Sequence, residues 1–231
     1  MSAPGAPVRA VLLDGMGTLL ALDRPVQRLR AELRERAGIE VGPRVAREAL
    51  GAEIAYYRAH HDEGRDRGTL ASLRRRCAAV LRAALPEGGG VPLETVTAVL
   101  LAALRFRAFP DAAPALRALR ARGMRLVVVS NWDVSLHAAL EQAGLAPLLH
   151  GAISSAELGA SKPDPAIFRH GLVLAGVPAE NALHVGDSPE LDVAGARAAG
   201  IEPLLLLRSP QAPPAGVRVI RSLRELTACA P

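Results

Sequence analysis

Four stretches of the chain each end an apolar run in side chains that can handle charged oxygens. In the first, RAVLLDGMGTLL, Ala10, Val11, Leu12 and Leu13 lead to Asp14 and then to a turn holding Gly15, Gly17 and Thr18. A buried strand that carries one carboxylate to its C-terminal tip, ahead of a glycine turn, is how an open α/β sheet presents a reactive group. The second, RLVVVSN, ends in Ser130 and Asn131 just before a helical segment. Their hydroxyl and amide, with the N–H groups of the helix start, suit a phosphate; they equally suit a turn whose helix is capped by Asp133. The third, GASKPDPAIF, sets Lys162 before Pro163 and the Asp164-Pro165 cap, so a fixed backbone on both sides holds one ammonium in place. The fourth, HVGDSPELD, brackets a helix start with Asp187 and Asp192. Paired carboxylates at a strand end suit Mg²⁺, which takes few protein ligands and keeps waters and phosphate oxygens. Ser188 and Glu190 read as a cap and a first-turn charge.

Lys162 has a second distinction. The chain carries 28 basic residues, and Lys162 is its only lysine. Arginine and lysine differ in shape, hydration and point-charge character, so a lysine that survives such a bias invites a functional reading.

The elements that must position these groups follow from periodicity. Val26, Leu29, Leu33 and Ala37 keep helical spacing up to Gly38; further helices run from Pro43 toward His61, through Leu70–Ala84, and from Pro92 to about Leu104. No strand-like run is expected between Asp23 and Ala108, which reads as an inserted helical bundle. Beyond Pro110 short helices alternate with apolar runs: helix Asp111–Arg122, strand Arg125–Ser130, helix Val134–Ala143, strand Leu149–Ser154, helix Pro165–Ala175, strand Ala182–Gly186, helix Pro189–Ala199, strands Leu204–Leu207 and Val217–Ile220, and a terminal helix. That alternation predicts a parallel sheet, with all four polar strand ends on its carboxyl edge. Arg208–Gly216, rich in Pro and Ala, reads as a loop.

Composition excludes several functions. Half the residues are apolar, yet no apolar run approaches membrane-spanning length, so no membrane partner is expected. The net charge of +5 comes from arginines spread over helix-like segments with few aromatic neighbours, the pattern of solvated faces rather than of a nucleic-acid surface. MSAPGAPVRA lacks a secretory pattern, and Cys77 and Cys229 lack motif spacing, so a cytoplasmic protein with free thiols is expected. His60-His61 reads as a solvated helix end rather than a metal site; Trp132 and Tyr56-Tyr57 fit either substrate contact or packing. Oligomeric state is not legible.

In order and spacing, Asp14-Gly-Met-Gly-Thr18, Ser130-Asn131, Lys162-Pro163 and Gly186-Asp187…Asp192 resemble the four motifs of the haloacid dehalogenase-like hydrolase superfamily, and the inserted helices resemble the cap of its phosphoglycolate phosphatase-like branch. The resemblance implies an α/β, Rossmann-like, three-layer parallel-sheet core from residues 1–21 and 111–231, with an all-α cap at 22–110. It implies that Asp14 is the nucleophile and forms an aspartyl-phosphate on a small phosphorylated substrate. Mg²⁺ would sit between Asp14, the backbone carbonyl of Met16, Asp187 and the phosphate, with Asp192 direct or one step removed. Lys162 would neutralise charge, Ser130, Asn131 and Lys162 would bind the phosphate, and Thr18 would support the loop. The chain departs from the family's phosphatases at Met16, where they carry a second Asp as general acid and base. The dehalogenase branch also lacks that Asp, because a departing halide needs no proton. A Mg²⁺-dependent phosphatase of reduced power, a 2-haloacid dehalogenase and a non-catalytic phosphate-binding protein therefore all remain open at this point.

Overall fold

Ala10–Leu13 (β1) is apolar throughout and wholly buried, the composition of a strand covered on both faces. In the computed structural model, which describes residues 7–86, 88–210 and 212–229, the chain continues through β2 (Leu20–Leu22), helices α1 (Pro25–Ala37), α2 (Pro43–His60), α3 (Arg67–Ala83) and α4 (Leu93–Ala103), and β3 (Phe106–Ala108). It then alternates: α5 (Ala112–Ala121), β4 (Arg125–Ser130), α6 (Leu136–Gln142), β5 (Gly151–Ser154), α7 (Ser155–Leu158), α8 (Pro165–Ala175), β6 (Ala182–Gly186), α9 (Ala194–Ala198), β7 (Glu202–Leu206), β8 (Arg218–Ile220) and α10 (Leu226–Cys229). The expected α/β architecture is present. Six strands form one sheet in the order β5-β4-β1-β6-β7-β8, every neighbouring pair parallel. Helix α8 covers one stretch of it, seating Ile167 and Phe168 against Ala10, Leu12, Val127 and Val129. Among the described residues no helix is long and apolar enough to cross a membrane.

The chain forms two compact units, one from residues up to Ala21 together with Ala108 onward, the other Leu22–Arg107. Within the second, α1 packs on α4 and α2 on α3 around Leu29, Leu33, Leu73, Leu81, Val96 and Leu100. Helix α1 ends where expected, because Gly38 takes the left-handed conformation (φ 66°) and its N–H caps Leu33.

Four expectations need correction. Residues 106–108 are not helical: Phe106–Ala108 pairs with β2 in a two-stranded sheet, a ladder too short and too exposed to leave an alternating pattern. Ser155–Leu158 is an unforeseen helical turn, closed by a reciprocal cap between Ser154 and Glu157. The helix expected over Pro189–Ala199 opens with a π-helical turn, Pro189–Val193, before α9. The terminal helix is a single turn. Residues 1–6, on which the expected location partly rests, and the side chain of Cys229 lie outside the described residues.

His60 and His61 serve the fold. His60 stacks on Tyr56 with ring centres 4.0 Å apart and its Nδ1 meets the Tyr56 carbonyl at 2.7 Å, while His61 Nδ1 pairs with Asp62 at 2.8 Å. Glu53 is more unusual, an acid on the buried face of α2 that the Cys77 thiol of α3 hydrogen-bonds. Burial pushes its carboxyl from an ordinary 4.5 up to about 7, against the pull of that thiol. The folded chain therefore holds a proton that the unfolded chain releases above pH 4.5. Stability from this group is full below that pH and is lost as pH rises through about 7, a fall of roughly 3 kcal/mol. Urea unfolding across this range is expected to show that slope in the native protein and to lose it in Glu53→Gln.

Candidate active site

The strand register assembles the site. Leu13, the last residue of β1, lies opposite Val128 of β4 and Val185 of β6. Asp14 thus emerges at the carboxyl edge, with Ser130 and Asp187 each projecting one residue further from the two flanking strands. The Asp14 N–H donates to the Val185 carbonyl (2.9 Å), and the residue is buried. Oδ1 accepts from Lys162 Nζ at 2.6 Å and Ser130 Oγ at 3.3 Å. Oδ2 is buried and has no hydrogen-bond partner among the described residues.

Lys162 is held by its backbone and by its charge. Asp164 caps α8 through the Ala166 N–H. The Asn131 amide grips the Lys162 peptide in both directions, Oδ1 accepting from Lys162 N (2.7 Å) and Nδ2 donating to Lys162 O (3.0 Å). Asn131 thus spends most of its side chain on placing the lysine. The ammonium, with its side chain 2% exposed, lies between Asp14 and Asp192, 2.7 Å from Asp192 Oδ1. Both Asp192 oxygens are engaged: Oδ1 also meets His184 Nε2 (3.0 Å), and Oδ2 accepts from the Ser188 N–H (3.0 Å). Asp192 lies inside the π-helical turn Pro189–Val193, its N–H donating to the Ser188 carbonyl at 2.9 Å.

Charge is unevenly balanced here. Ligand atoms of Asp14, Asp187 and Asp192 all lie within 4.8 Å of one another, the one such group of His, Cys, Asp and Glu among the described residues. Burial raises the Asp14 carboxyl to about 6, and Asp192 and Asp187 add to the rise while Lys162 opposes it. Burial also acts against charge on Lys162 and Asp192, but attraction dominates: the two carboxylates push Lys162 above the usual lysine range, and Lys162 with His184 hold Asp192 well below the carboxylate range. Two of the three acids, Asp14 and Asp192, thus share one ammonium.

The loop after Asp14 is tightly constrained. Gly17 has φ 85°, and a Cβ there would collide with the Asp187 carboxylate, so glycine is required on both counts. The Gly15 carbonyl accepts from Leu19 N and Leu20 N, and those of Gly17 and Thr18 accept from Arg208. Among the described residues no hydrogen bond is made to the Met16 carbonyl, the remaining one in the loop. The Met16 side chain is half-buried, and Thr18 is fully buried, its hydroxyl without a partner among the described residues. Trp132 is buried, its indole N–H on Ser135 Oγ at 3.4 Å.

The residues of the four motifs belong to one unit, whereas Tyr56 and Tyr57 belong to the other, and Asp14, Ser130 and Asp187 stand at the ends of neighbouring strands with Lys162 and Asp192 bonded among them. Two participants were missed. His184 is fully buried inside β6, edge-on to Phe168 with centroids 4.9 Å apart; an ionisable residue in an otherwise apolar strand was its signal. Arg208 follows the apolar run of β7 just as Asp14 follows that of β1, so the strand-end rule pointed to it as well.

A parallel α/β sheet that gathers an aspartate, a lysine and two further acids at its carboxyl edge defines a class of hydrolase. The haloacid dehalogenase-like hydrolase family model matches residues 8–200, and the chain belongs to that family of hydrolases. A phosphoserine phosphatase of Thermus thermophilus is 40% identical over 126 residues, 53% of this chain and 51% of that protein. A phosphoglycolate phosphatase of Rhodospirillum rubrum is 46% identical over 94 residues, 40% of this chain and 39% of that protein. The matched stretch thus spans about half, or less, of these relatives' own length. Among solved structures, a 2-haloacid dehalogenase from Pseudomonas syringae pv. Tomato DC3000 superposes with a TM-score of 0.67 at 26% identity, covering 96% of this chain and 97% of that one.

Proposed function

We propose that this hydrolase is a Mg²⁺-dependent phosphatase acting on a small phosphorylated substrate through Asp14. One observation carries the reading: the buried, unpartnered Oδ2 of Asp14 lies in a cluster whose acids outnumber its ammonium three to one. A buried carboxylate oxygen without a partner is costly, and a hard divalent cation is what oxygen donors of this kind accommodate. Asp14, Asp187 and the Met16 carbonyl fit as its holders. Asp192, with both oxygens engaged, supports the site by fixing Lys162 and the Ser188 peptide. When bound, Mg²⁺ would supply charge neutralisation to a phosphoryl group.

The chain's own groups account for the rest. The Asp14 carboxylate attacks phosphorus, the bond to the leaving oxygen breaks, and an aspartyl-phosphate forms; water then attacks that intermediate and releases phosphate. Lys162 and Ser130 donate toward the reacting carboxylate, and the Asn131 N–H and second amide hydrogen remain for phosphoryl oxygens. Met16 moves no proton, which favours substrates whose leaving group departs unaided. The inserted helical unit would serve as the cap that selects the substrate.

Calorimetry with Mg²⁺ and a phosphate mimic tests this reading. Native protein is expected to bind, and Asp187→Ala to bind at least about 10- to 100-fold more weakly, since even a supporting partner of a metal ligand is worth that much. Equal binding by both proteins would remove Asp187 from the site. Met16 also favours a second reading, halide displacement from a 2-haloacid; release of halide without Mg²⁺, and no hydrolysis of aryl phosphates with it, would establish that chemistry instead.

A further inference from the structure

We propose that Arg208 is a positioning residue of this site: its guanidinium sets the Gly17–Thr18 backbone against which Asp187 is seated, and thereby the site's fit to a divalent cation. The inference rests on the phosphatase reading above. Arg208 spends its whole fork on the nucleophile loop and one anchor. Nε donates to the Gly17 carbonyl (3.1 Å), Nη2 to the Thr18 carbonyl (2.7 Å) and Nη1 to Asp111 Oδ2 (3.1 Å). Its guanidinium carbon lies 3.7 Å from the centre of the Phe109 ring. The anchor is itself fixed, because Asp111 Oδ2 also accepts from Ser222 Oγ (2.8 Å) and Leu223 N (2.9 Å).

Two features turn this clamp into a control on metal fit. Taking the Gly17 and Thr18 carbonyls leaves the Met16 carbonyl as the one loop carbonyl without a hydrogen bond among the described residues. Contact between Gly17 and the Asp187 carboxylate is so close that a Cβ has no room, so a small shift of this peptide alters where Asp187 can stand. Lysine cannot reproduce the arrangement, since one ammonium cannot serve two carbonyls and a carboxylate while lying flat on a ring.

A purely structural Arg208 would tie the segment after β7 to the core and affect only stability. The test is Mn²⁺ binding to the full chain, read by electron paramagnetic resonance, with urea unfolding of the metal-free protein alongside. Arg208→Gln is expected to weaken Mn²⁺ binding by about tenfold, the lower end of what a supporting partner is worth, with Arg208→Lys between it and native. Leu119→Ala, which opens a cavity in the fully buried face of α5, serves as the stability-matched control and is expected to keep native affinity. Native affinity in both Arg208 variants overturns the proposal, as does an equal loss in Leu119→Ala. If Arg208→Gln fails to fold, Arg208→Lys alone decides. A native chain that binds no Mn²⁺ overturns the metal reading itself, and this inference with it.

Discussion

Lys162→Arg, which would give this position the residue found at every other Lys or Arg position of the chain, is expected to lower turnover of an activated aryl phosphate by about 10²- to 10³-fold, the usual cost of removing a donor aimed at developing charge. The ammonium is 2.6 Å from Asp14 and 2.7 Å from Asp192 with almost no solvent around it. A point charge with rotatable donors fills that space; a planar guanidinium needs room for its fork and would push the two carboxylates apart. Lys162→Met goes further, because it leaves Asp14 and Asp192 buried against each other without the ammonium between them, and His184 reaches only Asp192. Breaking a buried pair in this way costs about 3–5 kcal/mol of stability. The measurements are kcat for the arginine variant and the urea midpoint for the methionine variant. Near-native turnover in Lys162→Arg would mean that only the sign of the charge matters, and the assigned geometry would be wrong.

Met16→Asp is expected to act in the opposite direction, and selectively. General acid–base help contributes about 10²- to 10⁴-fold, and an alkoxide needs it far more than a phenolate does. Turnover of alkyl phosphates should therefore rise by up to about 10²-fold, with a much smaller gain on aryl phosphates. The half-buried position of Met16 gives a carboxylate access to water while keeping it two residues from Asp14. Asp14→Asn in the Met16→Asp background is the control: any gain that survives it does not pass through Asp14. Efficient hydrolysis of alkyl phosphates by native protein would show that another residue supplies the proton.

The parts of the fold legible from sequence were those written in one local pattern. Arg125–Ser130, Pro165–Ala175 and Ala182–Gly186 have the limits their apolar runs, Pro165 and flanking glycines imply. The polar strand ends were legible for the same reason: a residue that interrupts a buried run must leave the sheet, and parallel strands all leave at one edge. What escaped depended on partners far along the chain or on a count that slips. Phe106–Ala108 is a strand only because Leu20–Leu22 lies beside it. The engagement of Asp192 with Lys162 and His184 joins the π-helical turn Pro189–Val193 to residues on other elements, which helical periodicity does not encode. Arg208 looked like the start of a loop because its carbonyl partners, Gly17 and Thr18, lie at the other end of the sequence.

Strand order has a further consequence, one of timing. β1 lies in the middle of the sheet, where Ala10 pairs with Arg125 on one side and Ala182 on the other. A ribosome must therefore finish most of the chain before Asp14 meets any of the groups that serve it. The helical unit Leu22–Arg107 makes its contacts over much shorter separations, and chains rich in local contacts close sooner than those waiting on distant strands. During synthesis the helices can pack while β1, four apolar residues long, still lacks both neighbours. That interval is when an unpaired apolar strand is most exposed to wrong partners, and it ends with the same pairing that creates the active site.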